Sequence, residues 1–247
     1  MCVLLVSYRQ KPDADLIVLA NRDEFYDRPP APASFWEDSP GVLAGRALKG
    51  KGTWLGINRT GAIAAITNYR DPARNDPNAV SRGNLVSEFL KHDLAPRKYL
   101  EAIRSAAENY NPFNLILGDR NSLFYYASTT GEIRELRPGL YGLSNHLLDT
   151  PWPKVARLKQ RYAKCEATPE KYLELLSDES LARDEDLPNT GVGLEWERRL
   201  SPVFIRGSHY GTRSSTLILK DSSGIFSFHE RSFLPGGKPA NTVQFQL

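Results

Sequence analysis

The chain has 247 residues, 40% of them hydrophobic and 10% aromatic, enough to bury a sizeable core and to exclude extensive disorder. Its 32 Lys and Arg residues stand against 29 Asp and Glu, and the resulting net charge of +3 is gathered into no run of five or more basic residues, which argues against nucleic acid or a membrane surface as the main partner. Two cysteines far apart, Cys2 and Cys165, exclude a disulfide framework and point to a reducing compartment.

Residues 2–8 (CVLLVSY) and 16–20 (LIVLA) are apolar, β-branched-rich runs, as expected of strands buried on both faces, with a polar turn over residues 10–15 between them. The run Val3-Leu4-Leu5-Val6 is too short for a signal peptide and has no basic residue before it. Nothing approaches the ~20 apolar residues of a membrane helix, so the expectation is a cytoplasmic protein without integral membrane contact. The tetrapeptide Asn21-Arg22-Asp23-Glu24 ends the second run. On extended backbone Asn21 and Asp23 point one way, Arg22 and Glu24 the other.

Gly45-Arg46-Ala47-Leu48-Lys49-Gly50-Lys51 begins like a phosphate-binding loop, but Gly52 stands where Ser or Thr is needed and a strand-like TWLGI follows, so a flexible loop over a pocket is expected. Residues 53–57 and 62–67 flank Asn58-Arg59-Thr60-Gly61, a hairpin loop, and 113–118 and 123–128 repeat that pattern around residues 119–122. A further strand is expected near 140–144. Helical periodicity marks about 83–92, 97–109, 153–164 and 169–177. Ser81 is placed to cap the first of these, and Thr168 before Pro169 and Glu170 to start the last. Residues 178–187 read as an exposed acidic loop, and strands at 213–220 and 224–230 close the fold. Strands with helices grouped in the middle suit an α+β fold of two sheets between helical layers, in one domain over 1–247.

Cys2 carries the sharpest chemical possibility. If Met1 is removed, one residue offers a thiol and an α-amine, whose ordinary pKa of about 7.7–8.0 lets it act as a base near neutrality. The thiolate is the nucleophile, and no separate histidine is required. The strand alternation over residues 21–24 leaves Asp23 able to hold the α-ammonium while Arg22 and Glu24 pair elsewhere, the alternative being a solvated strand end with a local ion pair. The four histidines, His92, His146, His209 and His229, show no metal-ligand spacing, and neither cysteine belongs to a C-x-x-C pair, so no metal is expected. Cys165 falls on a predicted helix as inert core, and Trp36, Trp54, Trp152 and Trp196 read as packing residues.

Met1-Cys2, Asn21-Arg22-Asp23-Glu24, Gly52-Thr53-Trp54-Leu55-Gly56, Thr67-Asn68-Tyr69-Arg70 and Ser81-Arg82-Gly83, in that order, resemble the NRDE family, also called the transport and Golgi organisation protein 2 family. The resemblance runs from residue 1 to about residue 220. That family in turn resembles the N-terminal-nucleophile (Ntn) hydrolases of the choloylglycine hydrolase and penicillin acylase branch, which cleave or transfer amide-linked acyl groups. The resemblance implies a four-layer αββα sandwich. It implies Cys2 as nucleophile, Asp23 as the carboxylate positioning the α-amine, Asn68 and Asn145 as oxyanion donors, and Arg213 as the guanidinium that lowers the thiol pKa. Asn21, Arg22, Glu24, Tyr69 and His146 are implied as substrate-binding neighbours. The implied function is an N-terminal-cysteine amidohydrolase or acyltransferase for an acylated small molecule, requiring no cofactor. The family's connection with haem trafficking and acyl-CoA or lipid handling implies the alternative, a non-catalytic carrier for haem or acyl-CoA in the same cleft, with His146 or His209 available to haem iron.

Overall fold

The structure is a computed structural model and describes residues 2–247; Met1, whose removal the cysteine chemistry requires, lies outside the described residues. In chain order the strands are β1 (Cys2–Lys11), β2 (Ala14–Phe25), β3 (Pro30–Trp36), β4 (Ser39–Ala47), β5 (Leu55–Asn58), β6 (Ile63–Asn68), β7 (Phe113–Gly118), β8 (Leu123–Ala127), β9 (Glu132–Glu135), β10 (Gly139–Leu143), β11 (Tyr210–Asp221), β12 (Phe226–Leu234) and β13 (Lys238–Gln246). The helices are α1 (Gly83–Lys91), α2 (Pro96–Ala106), α3 (Pro153–Ala163), α4 (Pro169–Leu175) and α5 (Leu194–Arg199). None is long and apolar enough to cross a membrane.

The chain gathers into two compact units, each built from separate stretches of sequence. The first takes the N-terminal residues through Asp27, Arg70–Ala73 and Pro138–Leu247. It holds a six-stranded sheet in the order β10-β1-β2-β11-β12-β13, in which every pair is antiparallel. Residues Cys2–Ser7 of β1 are all buried, which explains their unbroken apolar run: a strand covered on both faces has no solvent side to make polar. On one face Val3, Leu5, Ile17, Leu19 and Leu217 form a core with Trp152, Val155 and Leu158 of the α3 segment and Tyr172 and Leu173 of α4. These residues share parity along their strands, as a period of two requires.

The second unit, Arg28–Tyr69 and Arg74–Arg137, holds a seven-stranded antiparallel sheet in simple sequence order from β3 to β9. Leu85, Val86, Phe89 and Leu90 of α1 and Leu100 and Ile103 of α2 pack there with Val42, Ala64, Ile66, Leu115 and Tyr126. The hairpin after β5 is closed by Asn58, whose side-chain oxygen accepts from the Thr60 and Ala62 amides at 3.1 and 2.8 Å, and by Gly61, whose φ of 95° disfavours residues with a Cβ.

Several expectations need correction. β2 does not end before the polar tetrapeptide; it runs to Phe25, because β11 pairs with it throughout, Thr212 opposite Asp23 and Gly211 opposite Glu24. The helix expected after Ser81 has Arg82 at its N-cap position and no side-chain cap, whereas Thr168 does cap α4, accepting from the Lys171 amide at 3.3 Å. Residues 45–47 belong to β4 and only 48–50 form a turn, so the glycine-rich stretch is half strand rather than a flexible loop. Cys165 lies past the end of α3, half-buried against the core. Asp178, at the head of the acidic loop, is buried and paired with Arg161 at 2.9 Å. Trp196 is not a packing residue of either core; it is 38% exposed, edge-on to Tyr210.

Candidate active site

The register of β1 on β2 sets Cys2 directly across from Arg22 and Val3 across from Asn21. Directly opposed residues of an antiparallel pair project on the same side, so the thiol and the Arg22 guanidinium share a face, while Asn21 and Asp23 project to the face covered by α3 and α4. Asp23 sits one residue beyond the partner of Cys2, on the side of the Cys2 backbone nitrogen. Both Cys2 and Asp23 are buried, at 9% and 1% exposure.

Each acid is shaped by that burial. Desolvation pushes the Cys2 thiol up; Arg22 and a hydrogen bond from the Asp23 backbone pull the other way. Desolvation also pushes the Asp23 carboxyl up, opposed first by the Lys154 ammonium and also by a hydrogen bond from the Thr212 hydroxyl, 2.7 Å from Oδ1. Thr212 is itself fixed, since its oxygen accepts from the Ile205 amide at 2.9 Å. The Tyr210 hydroxyl donates to the Asp23 carbonyl at 3.2 Å, and burial lifts that phenol well above its usual range.

The other edge of β1 brings Asn145. Leu4 pairs with Leu143, and continuing the register two residues sets Asn145 level with Cys2. Ser144 donates to the Cys2 carbonyl at 2.9 Å, and the Asn145 carbonyl accepts from the Arg70 amide at 2.8 Å. Asn145 is wholly buried. Arg70 is ion-paired with Glu197 in the interior, and Glu197 is held in turn by the Thr190 hydroxyl at 2.6 Å.

Two expected roles meet a different geometry. Arg213, expected as the guanidinium beside the thiol, is held on other partners. The β2–β11 register slips between Thr212 and Ser214, so Arg213 is the extra residue of a bulge, a device that re-aims a side chain. Its guanidinium lies 4.7 Å from the Tyr26 ring centroid and donates to the Phe25 carbonyl at 2.9 Å. The arginine acting on the thiol is Arg22, and the net effect of the surroundings raises the thiol pKa rather than lowering it. Asn21 is not offered to a ligand: its amide nitrogen donates to the Leu176 and Val203 carbonyls, both at 2.8 Å, and its oxygen accepts from Ser215 at 2.6 Å. It ties β2 to two loops. Glu24 pairs with Arg22 at 3.8 Å. The tetrapeptide is therefore no solvated strand end; its first three residues are interior.

Asn68 and Tyr69 belong to the seven-stranded unit, where Asn68 ends β6 opposite Phe113 and the Tyr69 amide donates to the Pro112 carbonyl at 2.9 Å. His146, half-buried, has Nδ1 2.9 Å from the Thr150 hydroxyl, and burial lowers its pKa. His209 is exposed. Among the described residues no group of three His, Cys, Asp or Glu side chains is arranged to hold a metal ion.

Sequence reasoning missed Lys154. It is the second residue of α3, 1% exposed, and its Nζ makes no hydrogen bond. Burial brings its pKa down to about 8, against the attraction of Asp23 and Cys2. No sequence signal marks it, because a lysine in the first turn of a charged helix is ordinarily a surface residue.

The family model described as Transport and Golgi organisation 2 matches residues 1–235. The chain belongs to that family. The homolog of Mus musculus is 36% identical, with 100% of this chain and 99% of that protein covered. The homolog of Bos taurus is 38% identical over the same shares. The Drosophila melanogaster member is 28% identical, covering 94% of this chain and 92% of its own. Among solved structures, a Caenorhabditis elegans N-acylethanolamine-hydrolyzing acid amidase ortholog superposes with a TM-score of 0.51, covering 88% of this chain and 92% of that one at 9% identity. At that identity the likeness speaks for the fold: this member of the family is an α+β protein of the Ntn-hydrolase type.

Proposed function

We propose that the protein is an N-terminal-cysteine amidohydrolase or acyltransferase acting on an acylated small molecule, working once Met1 has been removed. One observation carries the reading: Cys2 opens the interior strand β1 beside a buried carboxylate, Asp23, lying on the side of its own backbone nitrogen. A free α-amine there would have an anion to orient it. Because burial raises the thiol pKa, the sulfur rests protonated and needs a base at hand, which the α-amine supplies.

In the proposed reaction the α-amine takes the thiol proton as sulfur bonds to the substrate carbonyl carbon. The oxyanion is met by the Asn145 amide, a donor of that kind being worth about 3 kcal/mol of barrier. The carbon–nitrogen bond, or carbon–sulfur bond of a thioester substrate, then breaks and the leaving group takes the proton from the ammonium. Water, or an acceptor in a transferase, then gives a proton to the α-amine as it bonds to the acyl carbon, the carbon–sulfur bond to Cys2 breaks, and the ammonium hands that proton to the departing sulfur. Arg22, Glu24 and His146 remain the substrate-contact candidates. No cofactor is needed by this chemistry, and the protein is read as cytoplasmic.

Intact mass and peptide mapping test the reading. Purified protein should lack Met1 and take up one equivalent of a β-lactone probe on Cys2, at least ten-fold faster than free cysteine, with the adduct lost in Cys2→Ala. Retention of Met1, or labelling no faster than free cysteine, overturns it. Stoichiometric binding of haem or acyl-CoA by that unreactive protein, preserved in Cys2→Ala, would then assign the cleft to a carrier.

A further inference from the structure

Lys154 lies on the helix-covered face of the six-stranded sheet. The residues that follow it in α3, Val155 and Leu158, pack with Val3, Leu5 and Leu19. Asp23 projects to that same face, in line with Leu19 and Asn21 on β2. An ammonium at 1% exposure with no hydrogen bond from Nζ is tolerable only beside a counter-charge. Of the carboxylates acting on it Asp23 is foremost and Glu197 follows, and Glu197 is already held by Arg70 and Thr190. Asp23, for its part, has Lys154 as the cation opposing its desolvation most strongly.

We infer that Lys154 is a positioning residue that keeps Asp23 a carboxylate, and thereby able to hold an ammonium at Cys2. The inference rests on the reading of Cys2 as the nucleophile. A protonated Asp23 would offer an O–H and no charge, and could not orient an α-ammonium. The titratable and charged groups near enough to act on Asp23 or on its partners come from every neighbouring element: Thr212 and Tyr210 on β11 and Lys154 on α3 on its own face, Cys2 on β1 and Arg22 on β2 through the sheet, and Arg70 with Glu197 beyond. Among the cations Arg22 is the weaker influence on Asp23 and is shared with Glu24. Lys154 performs no bond-making step; it acts through Asp23.

The experiment follows two readouts across pH 5–9 in the mature protein, using Lys154→Met, Lys154→Gln and Lys154→Arg with Asp23→Asn as reference. The first is the rate of β-lactone labelling of Cys2. The second is the carbonyl 13C shift of the Asp23 side chain in aspartate-labelled protein, identified by its loss in Asp23→Asn. In the Met and Gln variants the Asp23 titration should move up by at least one pH unit and labelling near pH 6.5 should fall ten-fold or more, with the wild-type profile restored in the Arg variant. Superimposable carboxyl titrations in wild type and the two neutral variants overturn the inference even where fast labelling upholds Cys2 as nucleophile. Slow labelling in the wild type sinks the nucleophile instead, and the 13C titration still decides whether Lys154 holds Asp23 ionised.

Discussion

A lysine held at about 8 instead of its ordinary 10.5 is a thermodynamic liability of defined pH dependence. Below about pH 8 both folded and unfolded chains carry the proton, and folding pays the full desolvation cost. Between about 8 and 10.5 the unfolded chain binds more protons than the folded one, so this group makes stability rise with pH across that window. Lys154→Met deletes this titration but also strands the buried Asp23 carboxylate, so its signature is in the slope: the rise in stability of wild type between about pH 8 and 10 should be missing from the variant. Urea denaturation across that range checks it, and parallel profiles for the two proteins would refute the assignment. The residue scale is also where the sequence is least transparent. Alternation along an extended strand correctly separates Asn21 and Asp23 from Arg22 and Glu24. It leaves open that β11 buries them, because Thr212 is some 190 residues away. The bulge that turns Arg213 onto Tyr26 has no local signature at all, since Gly-Thr-Arg-Ser-Ser reads as ordinary strand.

At the scale of elements, two substitutions probe how the helices are seated. Thr168→Ala removes the cap of α4, whose Tyr172 and Leu173 enter the core, and should cost about 1 kcal/mol in chemical denaturation, with an unchanged midpoint counting against it. Gly142 of β10 faces α3 so closely that a Cβ there would stand 2.4 Å from the Val155 side chain. Gly142→Ala should lose about 1–3 kcal/mol, because α3 must shift off β1 and β10. The strands legible in the sequence are those with unbroken burial, such as β7, β8 and residues 2–8 of β1. β3 begins with Pro-Ala-Pro, β9 is four mostly exposed residues and β13 is an edge strand facing solvent over most of its length, so none has the apolar periodicity that betrays a strand. α5, six residues long, is too short to show a helical stripe.

Across the whole molecule, the chain leaves the six-stranded unit after Asp27, returns for Arg70–Ala73 and comes back finally at Pro138. The brief return is fastened by the Arg70 amide on the Asn145 carbonyl and by the buried Arg70–Glu197 pair. Arg70→Met would strand Glu197 without its cation, and a loss of about 3–5 kcal/mol is expected in equilibrium unfolding; a loss below 1 kcal/mol would show the pair to be dispensable. The α+β class is readable from the order of apolar runs and helical stripes, and the family from five short motifs spread over most of the chain. The division into two interleaved units is not, because nothing in composition marks the crossings at residues 27, 69, 73 and 137.

The pairing of β2 with β11 has a consequence for biosynthesis. Cys2 emerges from the ribosome early, whereas Lys154, Thr212 and the strand that walls in Asp23 are translated late. Throughout that interval the sulfur is an ordinary, unguarded thiol open to oxidants, and the peptide bond before it is open to methionine aminopeptidase. A nascent chain arrested before residue 205 should alkylate with iodoacetamide like free cysteine, and protection should arrive abruptly once β11 has cleared the exit tunnel.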